Sequence, residues 1–475
     1  MRTTLCTLFC SWLALGAASA QTVAGLHDDQ VFQRDGRGLG EIALTGEAPV
    51  AARAVEGRVL RQYRALEGLD WARLGEARGG KWEGRLRNVP AGGPYRIELR
   101  WVDGGGKTLA ETARHNILVG DLWILAGQSN MQGVGDLTDV EPPHGQVHMF
   151  DMTDRWRLAE EPLHSIPDAV DSFHWRGKPR LMGAEAEAYH RNRVKGAGLG
   201  LPFATHLVRA TGVPVGLAPC AHGGTSMEQW SPALRDQGGA SLYGAMLRRH
   251  KAVGGRVAGV LWYQGESDAS PERAPQFSER MKTLVQAIRA DFSQPDLPFY
   301  YVQLGRVIRA AGSPASWNSI QDLQRQHESE IANAGLVAGI DLELDDGIHI
   351  GAQSLKVLGM RLANLAGGRV LRGPRIAEAR FEGNGRRRVR IQMREVNGKL
   401  IAPGRPAGFS IQTPEGGKDP AHFDTVLDGA SVVLHLNQEA PPGAMLWYGR
   451  GFDPYANIVD EKNMALPVSG PLPIQ

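Results

Sequence analysis

The chain has 475 residues, of which 42% are hydrophobic and 22% charged, and its formal net charge is +2 at pH 7. This composition is typical of a soluble globular protein, and the near-neutral charge excludes an electrostatic grip on nucleic acid or anionic membrane, which needs a concentrated basic patch. Such a length exceeds what one hydrophobic core accommodates, so we expect two or three domains.

The first 20 residues have the pattern of an export signal. Arg2 precedes an apolar run over residues 5–16, and the small residues Ala18–Ala20 follow it. The run is shorter than the roughly 20 residues that a membrane-spanning helix needs. We therefore predict a signal peptide at 1–20, no membrane span, and a periplasmic or secreted protein. Cys6 and Cys10 lie inside the signal, so Cys220 alone remains and no intramolecular disulfide is expected.

Residues 21–116 are predicted to form an N-terminal β domain. Apolar and polar residues alternate in three segments separated by glycine-rich turns, namely Glu41–Thr45, Lys81–Leu86 and Tyr95–Trp101. A small sandwich fits this pattern. Structural packing is the favoured role, and carbohydrate binding stays open.

Residues 117–370 are predicted to form a doubly wound α/β domain. Near-continuous apolar runs typical of buried parallel strands occur at Asp121–Gly127, Val213–Cys220, Val257–Gly265, Leu297–Leu304 and Leu336–Asp341. Between and after them, apolar residues recur at helical spacing over 277–292, 317–331 and 355–365. Functional sites in such sheets form beyond the carboxyl ends of the strands.

Chemically capable residues follow these strand ends. Ser129, after the first strand, is a candidate nucleophile, and His349 is a candidate base. Asp346, three residues before His349, can orient the imidazole, although Asp345 is an alternative. Each feature alone is common in ordinary turns. Their occurrence together and in this order favours an esterase centre.

Four blocks carry a resemblance to a known family. Gly127–Met131, Gly223–Trp230, Trp262–Ser267 and Asp346–His349 resemble the blocks of the SGNH-type carbohydrate esterases, specifically the sialate O-acetylesterase group. Similarity continues outside the blocks, for example at Asp29–Arg34. The resemblance therefore covers most of the chain.

The resemblance implies residue roles. It makes Ser129 the nucleophile and Asp346 with His349 the rest of the triad. It also implies an oxyanion hole from the N–H groups of Ser129 and Gly223 and from the Gln264 amide, to which glycine contributes by allowing close backbone approach. From the same blocks we assign substrate binding to Gln128, Trp230 and Glu266.

Three departures from the wider superfamily are present. The first block has Gly-Gln-Ser in place of Gly-Asp-Ser, and the third has Gln264 in place of asparagine. Ile350 follows the histidine where proline is common. The stretch 136–200 is long, and its Trp175, Arg176 and Arg180 are candidate sugar contacts.

No metal or other cofactor is predicted. Only His144 and His148 have the i, i+4 spacing of a zinc motif, and they lie in a proline-containing stretch without the accompanying glutamate. The Gly198–Gly200 segment lacks the Lys-Ser/Thr of a phosphate-binding loop.

Residues 371–475 are predicted to form a C-terminal β domain, since Arg388–Met393 and Ser431–Leu436 alternate in the manner of strands. Taken together, the sequence predicts a secreted serine esterase that removes O-acetyl groups from a carbohydrate, with acetylated sialic acid favoured. Alternatives are an acetylxylan-type or other glycan acetylesterase and, outside enzymes, a carbohydrate-binding protein with an inactive esterase centre. The oligomeric state is left open.

Overall fold

The computed structural model describes residues 22–308, 312–413 and 422–475. The predicted signal peptide, with Cys6 and Cys10, lies outside the described residues. Within these ranges no helix is long and apolar enough to cross a membrane. The same ranges contain no group of three or more His, Cys, Asp or Glu residues that could hold a metal ion.

The strands range in length from two to 20 residues. They are β1 (Val23–Ala24), β2 (Val31–Gln33), β3 (Leu39–Glu47), β4 (Ala54–Arg61), β5 (Arg64–Ala65), β6 (Ala72–Arg78), β7 (Lys81–Pro90), β8 (Gly92–Val102), β9 (Thr108–Gly127), β10 (Gly135–Asp136), β11 (Val147–Phe150), β12 (Trp156–Leu158), β13 (Lys195–Ala197), β14 (Val215–Pro219), β15 (Gly259–Tyr263), β16 (Phe299–Gln303), β17 (Ala334–Ala338), β18 (Arg375–Phe381), β19 (Arg388–Arg394), β20 (Leu400–Ile401), β21 (Phe409–Gln412), β22 (His422–Asp428), β23 (Ser431–Leu436), β24 (Met445–Tyr448), β25 (Val459–Asp460) and β26 (Ser469–Pro473).

The helices lie between the strands of the middle region. They are α1 (Ser129–Gln132), α2 (Gly183–Arg191), α3 (Gly200–Thr211), α4 (Leu242–Ala252), α5 (Ala274–Asp291), α6 (Pro314–Glu330) and α7 (Ala352–Ala366), with 3-10 turns at Ser172–Trp175, Pro232–Ala240 and Glu266–Asp268.

The chain divides into two compact units. The first comprises the described residues up to Leu26 together with Ile42–Leu86 and Ile97–Arg114. The second comprises His27–Glu41, Arg87–Arg96 and the described residues from His115 onward. The boundaries predicted after residues 20, 116 and 370 stay predictions.

The first unit is built from antiparallel strands whose faces differ in polarity. Along β8, Ile97, Leu99 and Trp101 are fully buried, as the period of two in a strand requires. Charged residues alternate with them, and Arg100 on the opposite face pairs with Glu56 at 2.7 Å. This alternation of buried and exposed residues is the pattern that the sequence predicts for an N-terminal β region.

The second unit contains a doubly wound parallel sheet. Its strand order is β12-β11-β14-β9-β15-β16-β17, and every neighbouring pair except the antiparallel β11 and β12 runs parallel. The five predicted strands correspond to β9, β14, β15, β16 and β17. The predicted fold class is therefore confirmed, and the three predicted helices correspond to α5, α6 and α7.

The sequence did not predict β11. This four-residue strand lies in the long stretch 136–200 and extends the sheet by pairing in parallel with β14. It contains His148, whose Nδ1–H donates a 2.6 Å hydrogen bond to the Asp29 carbonyl oxygen. So short a run with a histidine inside it has no detectable periodicity.

The C-terminal strands form three small antiparallel sheets, with orders β18-β19-β23-β22, β20-β25 and β21-β24-β26. Both strands that the sequence predicts there are present as β19 and β23. The apolar faces of β19 and β23 share a core with β24, whose Leu446 and Tyr448 are fully buried.

Candidate active site

Ser129 lies directly beyond the carboxyl end of β9, where α1 begins. The turn requires glycine at position 127, because its φ is +130° and a Cβ there would lie 2.2 Å from the Tyr263 carbonyl oxygen. The N–H of Gln128 then donates to that same oxygen at 2.8 Å. These contacts anchor the turn to the end of β15 and leave Ser129 partly exposed.

His349 is held by Asp346 through a short hydrogen bond. Its Nδ1 is 2.7 Å from Asp346 Oδ2, while Asp346 Oδ1 accepts from the N–H groups of Ile348 and His349 at 2.9 and 2.8 Å. Since a carboxylate can only accept, Nδ1 carries the hydrogen and Nε2 is left as an acceptor. Burial opposes ionisation of Asp346, but these hydrogen bonds outweigh it and lower the pKa of its carboxyl group.

The neighbouring Asp345 points elsewhere. Its Oδ2 accepts from the backbone N–H of Asp136 at 3.3 Å, and its own N–H donates to the His349 carbonyl oxygen. Asp346 is therefore the carboxylate that contacts the imidazole.

Asn130 connects the turn that carries Ser129 to the histidine loop, which is residues 345–350. Its Oδ1 accepts from the Ile350 N–H at 3.0 Å, and its Nδ2 donates to Glu266 Oε1 at 3.0 Å and to the Ile348 carbonyl oxygen at 3.4 Å. The side chain thus holds the backbone on both sides of His349.

Ser129 and His349 line one cleft with a volume of about 720 Å³. Three further predicted site residues line it as well, namely Gln128, Gly223 and Glu266. The structure thus brings five of the eight predicted site residues to one cleft, and Asp346 lies behind His349.

Gly223 lies close to Ser129. A Cβ at this position would lie 3.3 Å from Ser129 Cβ, so a larger residue would crowd the serine. Its N–H donates to Gln132 Oε1 at 2.7 Å. An oxyanion would have to replace this amide oxygen to use the Gly223 N–H.

The structure does not bring Gln264 and Trp230 to the cleft. Gln264 is fully buried, and its Nε2 lies within hydrogen-bond distance of the Thr225 carbonyl oxygen and Asp268 Oδ2. Trp230 is also fully buried, packs edge-on against Trp262, and donates from Nε1 to Thr225 Oγ1. Both side chains support the loops after β14 and β15, so we no longer assign Gln264 to the oxyanion hole or Trp230 to substrate contact.

Glu266 has an unusual environment for a carboxyl group. Oε1 accepts from Asn130, whereas Oε2 is buried and has no hydrogen-bond partner in the described part of the chain. Burial is the largest cause of a raised pKa of this carboxyl group. Glu266 therefore offers the cleft a carboxyl group with a raised tendency to be protonated.

A cationic side chain also lines the cleft. Arg176 donates from Nε to His222 Nε2 at 2.6 Å and from Nη2 to the Gly223 carbonyl oxygen. Burial lowers the pKa of His222 to about 4, so its ring is neutral at pH 7. Because arginine only donates, Nε2 of His222 accepts and its Nδ1–H donates to Nδ1 of His174 at 2.9 Å. The exposed guanidinium is thus oriented by two buried neutral histidines.

Sequence reasoning missed the roles of Asn130, Gln132 and His222. Asn130 and Gln132 lie within one helical turn of Ser129, and His222 directly precedes Gly223. Their proximity to predicted residues was the available signal, but their partners come from distant parts of the chain.

Comparison with known proteins identifies the family of this chain. The profile of the family described as "Carbohydrate esterase, sialic acid-specific acetylesterase" matches residues 119–367, which is more than half of the chain. The chain belongs to this family. The resemblance predicted from the four blocks is confirmed, and carbohydrate esterases are carboxylic ester hydrolases.

Two relatives found by sequence comparison are distant from this chain. A protein of Arabidopsis thaliana named a "probable carbohydrate esterase" is 27% identical over 268 residues, covering 51% of this chain and 88% of the relative. The mouse sialate O-acetylesterase is 24% identical over 327 residues, covering 55% of this chain. The alignment spans only 58% of the mouse enzyme's own length.

A solved structure extends the comparison beyond the family region. A carbohydrate acetylesterase from Xanthomonas citri matches 94% of this chain and 98% of its own, with a TM-score of 0.66 and 23% identity. This likeness shows a shared fold over nearly the whole chain, including the β regions on either side of the family match.

Proposed function

We propose that this carbohydrate esterase is a serine O-acetylesterase whose triad is Ser129, His349 and Asp346. The observation that carries the proposal is the joint position of Ser129 and His349 in one cleft, with Asp346 holding His349 Nδ1 at 2.7 Å. That hydrogen bond leaves Nε2 as the basic nitrogen, which is the tautomer a general base needs.

The reaction proceeds in two steps. Ser129 Oγ attacks the acetyl carbonyl carbon while His349 Nε2 takes the hydroxyl proton. The tetrahedral intermediate expels the sugar oxygen, which receives that proton, and an acetyl-enzyme remains. Water then attacks the acetyl-enzyme, giving a proton to His349, and the collapse of the second intermediate returns it to Ser129 and releases acetate.

The N–H groups of Ser129 and Gly223 are the proposed donors to the oxyanion. Gly223 lies against the serine, and its donor is held by Gln132 Oε1. Substrate therefore has to displace the Gln132 side chain. Gln264 is proposed to support this arrangement from the core by holding Thr225.

The proposed substrate is an acidic sugar, with O-acetylated sialic acid favoured over acetylxylan. The supporting observation is Arg176, an exposed guanidinium at the cleft that the buried histidines orient and that can pair with a sugar carboxylate. The other candidates from the 136–200 stretch have internal partners. Trp175 Nε1 donates to the Ala169 carbonyl oxygen, and Arg180 Nε donates to the Asp168 carbonyl oxygen.

Export to the periplasm or the exterior remains part of the proposal. It rests on Arg2, the apolar run after it and the small residues Ala18–Ala20. Mass determination of the protein recovered from the cell envelope or medium should give a chain that begins at Gln21. Recovery of the uncleaved chain from the cytoplasm would contradict this part.

Hydrolysis assays of variants test the esterase assignment. Ser129→Ala and His349→Ala should each lower kcat for p-nitrophenyl acetate by about 10³-fold or more, because triad members act as a unit. Ser329→Ala, at an exposed helix position, is the matched control and should stay within about twofold of wild type. Turnover near wild type in either triad variant would contradict the assignment, and an inactive wild type would favour a carbohydrate-binding protein.

A substrate panel tests the acidic-sugar proposal separately. O-acetylated sialic acid, acetylxylan and acetylated pectin are compared at equal acetyl concentration. Arg176→Ala should raise KM for the acidic substrates by about tenfold and leave KM for acetylxylan nearly unchanged. A wide preference for acetylxylan in kcat/KM would remove the acidic-sugar proposal and leave the esterase assignment standing.

A further inference from the structure

A second cavity lies on the outward face of the small sheet β21-β24-β26. Because Leu446 and Tyr448 are buried in the C-terminal core, the alternation of β24 directs Met445 and Trp447 to the opposite face. Residues of this face and of helix α6 enclose a cavity of about 660 Å³. Its volume is that of a small-molecule site.

An aromatic ring forms one wall of this cavity. The indole of Trp447 is half-buried, and the backbone of Gly470 packs against it so closely that a Cβ there would lie 2.7 Å from Trp447 Cδ2. The Arg450 guanidinium is 5.9 Å from the ring centroid, at the limit of attraction, and is itself exposed. The indole can therefore receive a flat apolar surface in place of this loosely held cation.

A polar side chain lies on the same sheet face. Gln412 is 7% exposed and lines the cavity. An amide carries both hydrogen-bond donors and an acceptor, so Gln412 can bind the hydroxyl groups of a polar ligand.

The helix wall is polar and firmly held. Asp322 accepts from Arg325 Nε at 2.7 Å and from Gln326 Nε2 at 2.6 Å, so its charge is already compensated. Asn318 exchanges two hydrogen bonds with the backbone of Gly451, at 2.9 and 3.3 Å, which ties the loop after β24 to α6. The cavity is thus preformed and combines an aromatic wall with hydroxyl-binding side chains.

We propose that this cavity is a glycan-binding subsite that stacks a pyranose ring on Trp447 and hydrogen-bonds its hydroxyl groups to Gln412 and Gln326. A pyranose has an apolar C–H face and a polar rim, which matches this division of the walls. The proposal takes its ligand class from the proposed function, because the protein's substrate is a carbohydrate.

The position of the subsite relates it to the esterase cleft. Trp317 lines the cleft of Ser129, and the next residue of α6, Asn318, lines the second cavity. The subsite therefore holds a sugar ring of a polymer whose acetylated ring lies in the cleft, and it contributes affinity for long substrates.

Affinity electrophoresis tests binding without hydrolysis. Ser129→Ala is run in native gels containing polygalacturonate, xylan or polysialic acid, and its migration should be retarded by at least one polymer. Adding Trp447→Ala should weaken that retardation by about tenfold or more in apparent Kd. Adding Tyr63→Ala, which removes an aromatic side chain that is 89% exposed, is the matched control and should change nothing.

Two outcomes would overturn the subsite, namely no retardation by any of the three polymers or equal retardation with Trp447→Ala. If Trp447→Ala does not fold, Gln412→Ala decides by the same criterion. Hydrolysis of p-nitrophenyl acetate by enzyme with Ser129 intact separates the two proposals. An inactive wild type that still binds the polymer contradicts the esterase alone, whereas an active enzyme without binding contradicts the subsite alone.

Discussion

The side-chain contacts of the histidine loop could be predicted from the sequence, whereas those of the loops after β14 and β15 could not. In the histidine loop, the Asp346 and His349 side chains meet three residues apart. After β14 and β15, Gln264 Nε2 donates to the Thr225 carbonyl oxygen, 39 residues away. Gln264 also contacts Asp268, which accepts a hydrogen bond from the Met227 N–H. Contacts within one turn follow from spacing, whereas a buried polar network depends on how distant loops pack.

The comparison is tested most strongly at the two adjacent aspartates. Asp346→Asn should lower kcat by about 10³- to 10⁴-fold, because an amide cannot hold His349 in the required tautomer and stabilise its cation. Asp345→Asn should change kcat by less than about threefold, since Asp345 contacts Asp136. Steady-state kinetics of both variants measures the difference, and the reverse ranking would transfer the triad role to Asp345.

Substitutions of buried residues in the loops after β14 and β15 should lower the stability of the protein. Trp230→Ala is expected to lower the free energy of unfolding by roughly 3–5 kcal/mol, because it empties a fully buried indole site and removes the partner of Thr225. Urea unfolding followed by circular dichroism gives this value. In the folded fraction, KM for an acetylated sugar should stay within about threefold of wild type.

Trp230→Phe is the companion variant, since it keeps most of the ring volume and should lose less stability. A large rise in KM with unchanged stability would return Trp230 to substrate contact and break the comparison.

The buried histidines add a smaller, pH-dependent effect. Burial lowers the pKa of His222 to about 4 from its ordinary 6.5, so between these values the unfolded chain binds a proton that the folded chain does not. Stability should therefore fall as the pH decreases from about 6.5 to about 4. In His222→Asn the slope of unfolding free energy against pH should decrease by up to about one proton in this window. An unchanged slope would contradict a buried neutral His222.

The fold could be predicted wherever elements are long and patterned. The runs that became β9 and β14–β17 are buried on both faces and read as strands, and Leu355, Leu358, Leu362 and Leu365 show the buried stripe of α7. The secondary-structure elements of the stretch 136–200 were harder to predict. Its elements are short, as in the four residues of β11, and they pair with distant partners.

The candidate site shows the same division. Ser129, His349 and Asp346 could be proposed because a strand end and a three-residue spacing position them. Asn130 could not, since its role arises only when the histidine loop, more than 200 residues later, reaches its side chain. The direction of Gln264 likewise depends on Thr225 and Asp268, and no feature of its own segment indicates that it points into the core.

Covalent labelling tests the central claim, a nucleophilic Ser129, most directly. The purified enzyme is treated with diisopropyl fluorophosphate, digested and mapped by mass spectrometry. We predict one adduct per chain, on Ser129, with loss of esterase activity in proportion to labelling. His349→Ala should label far more slowly, since the serine then lacks its base. An adduct on another residue that accompanies inactivation, or full activity with Ser129 labelled, would contradict the account.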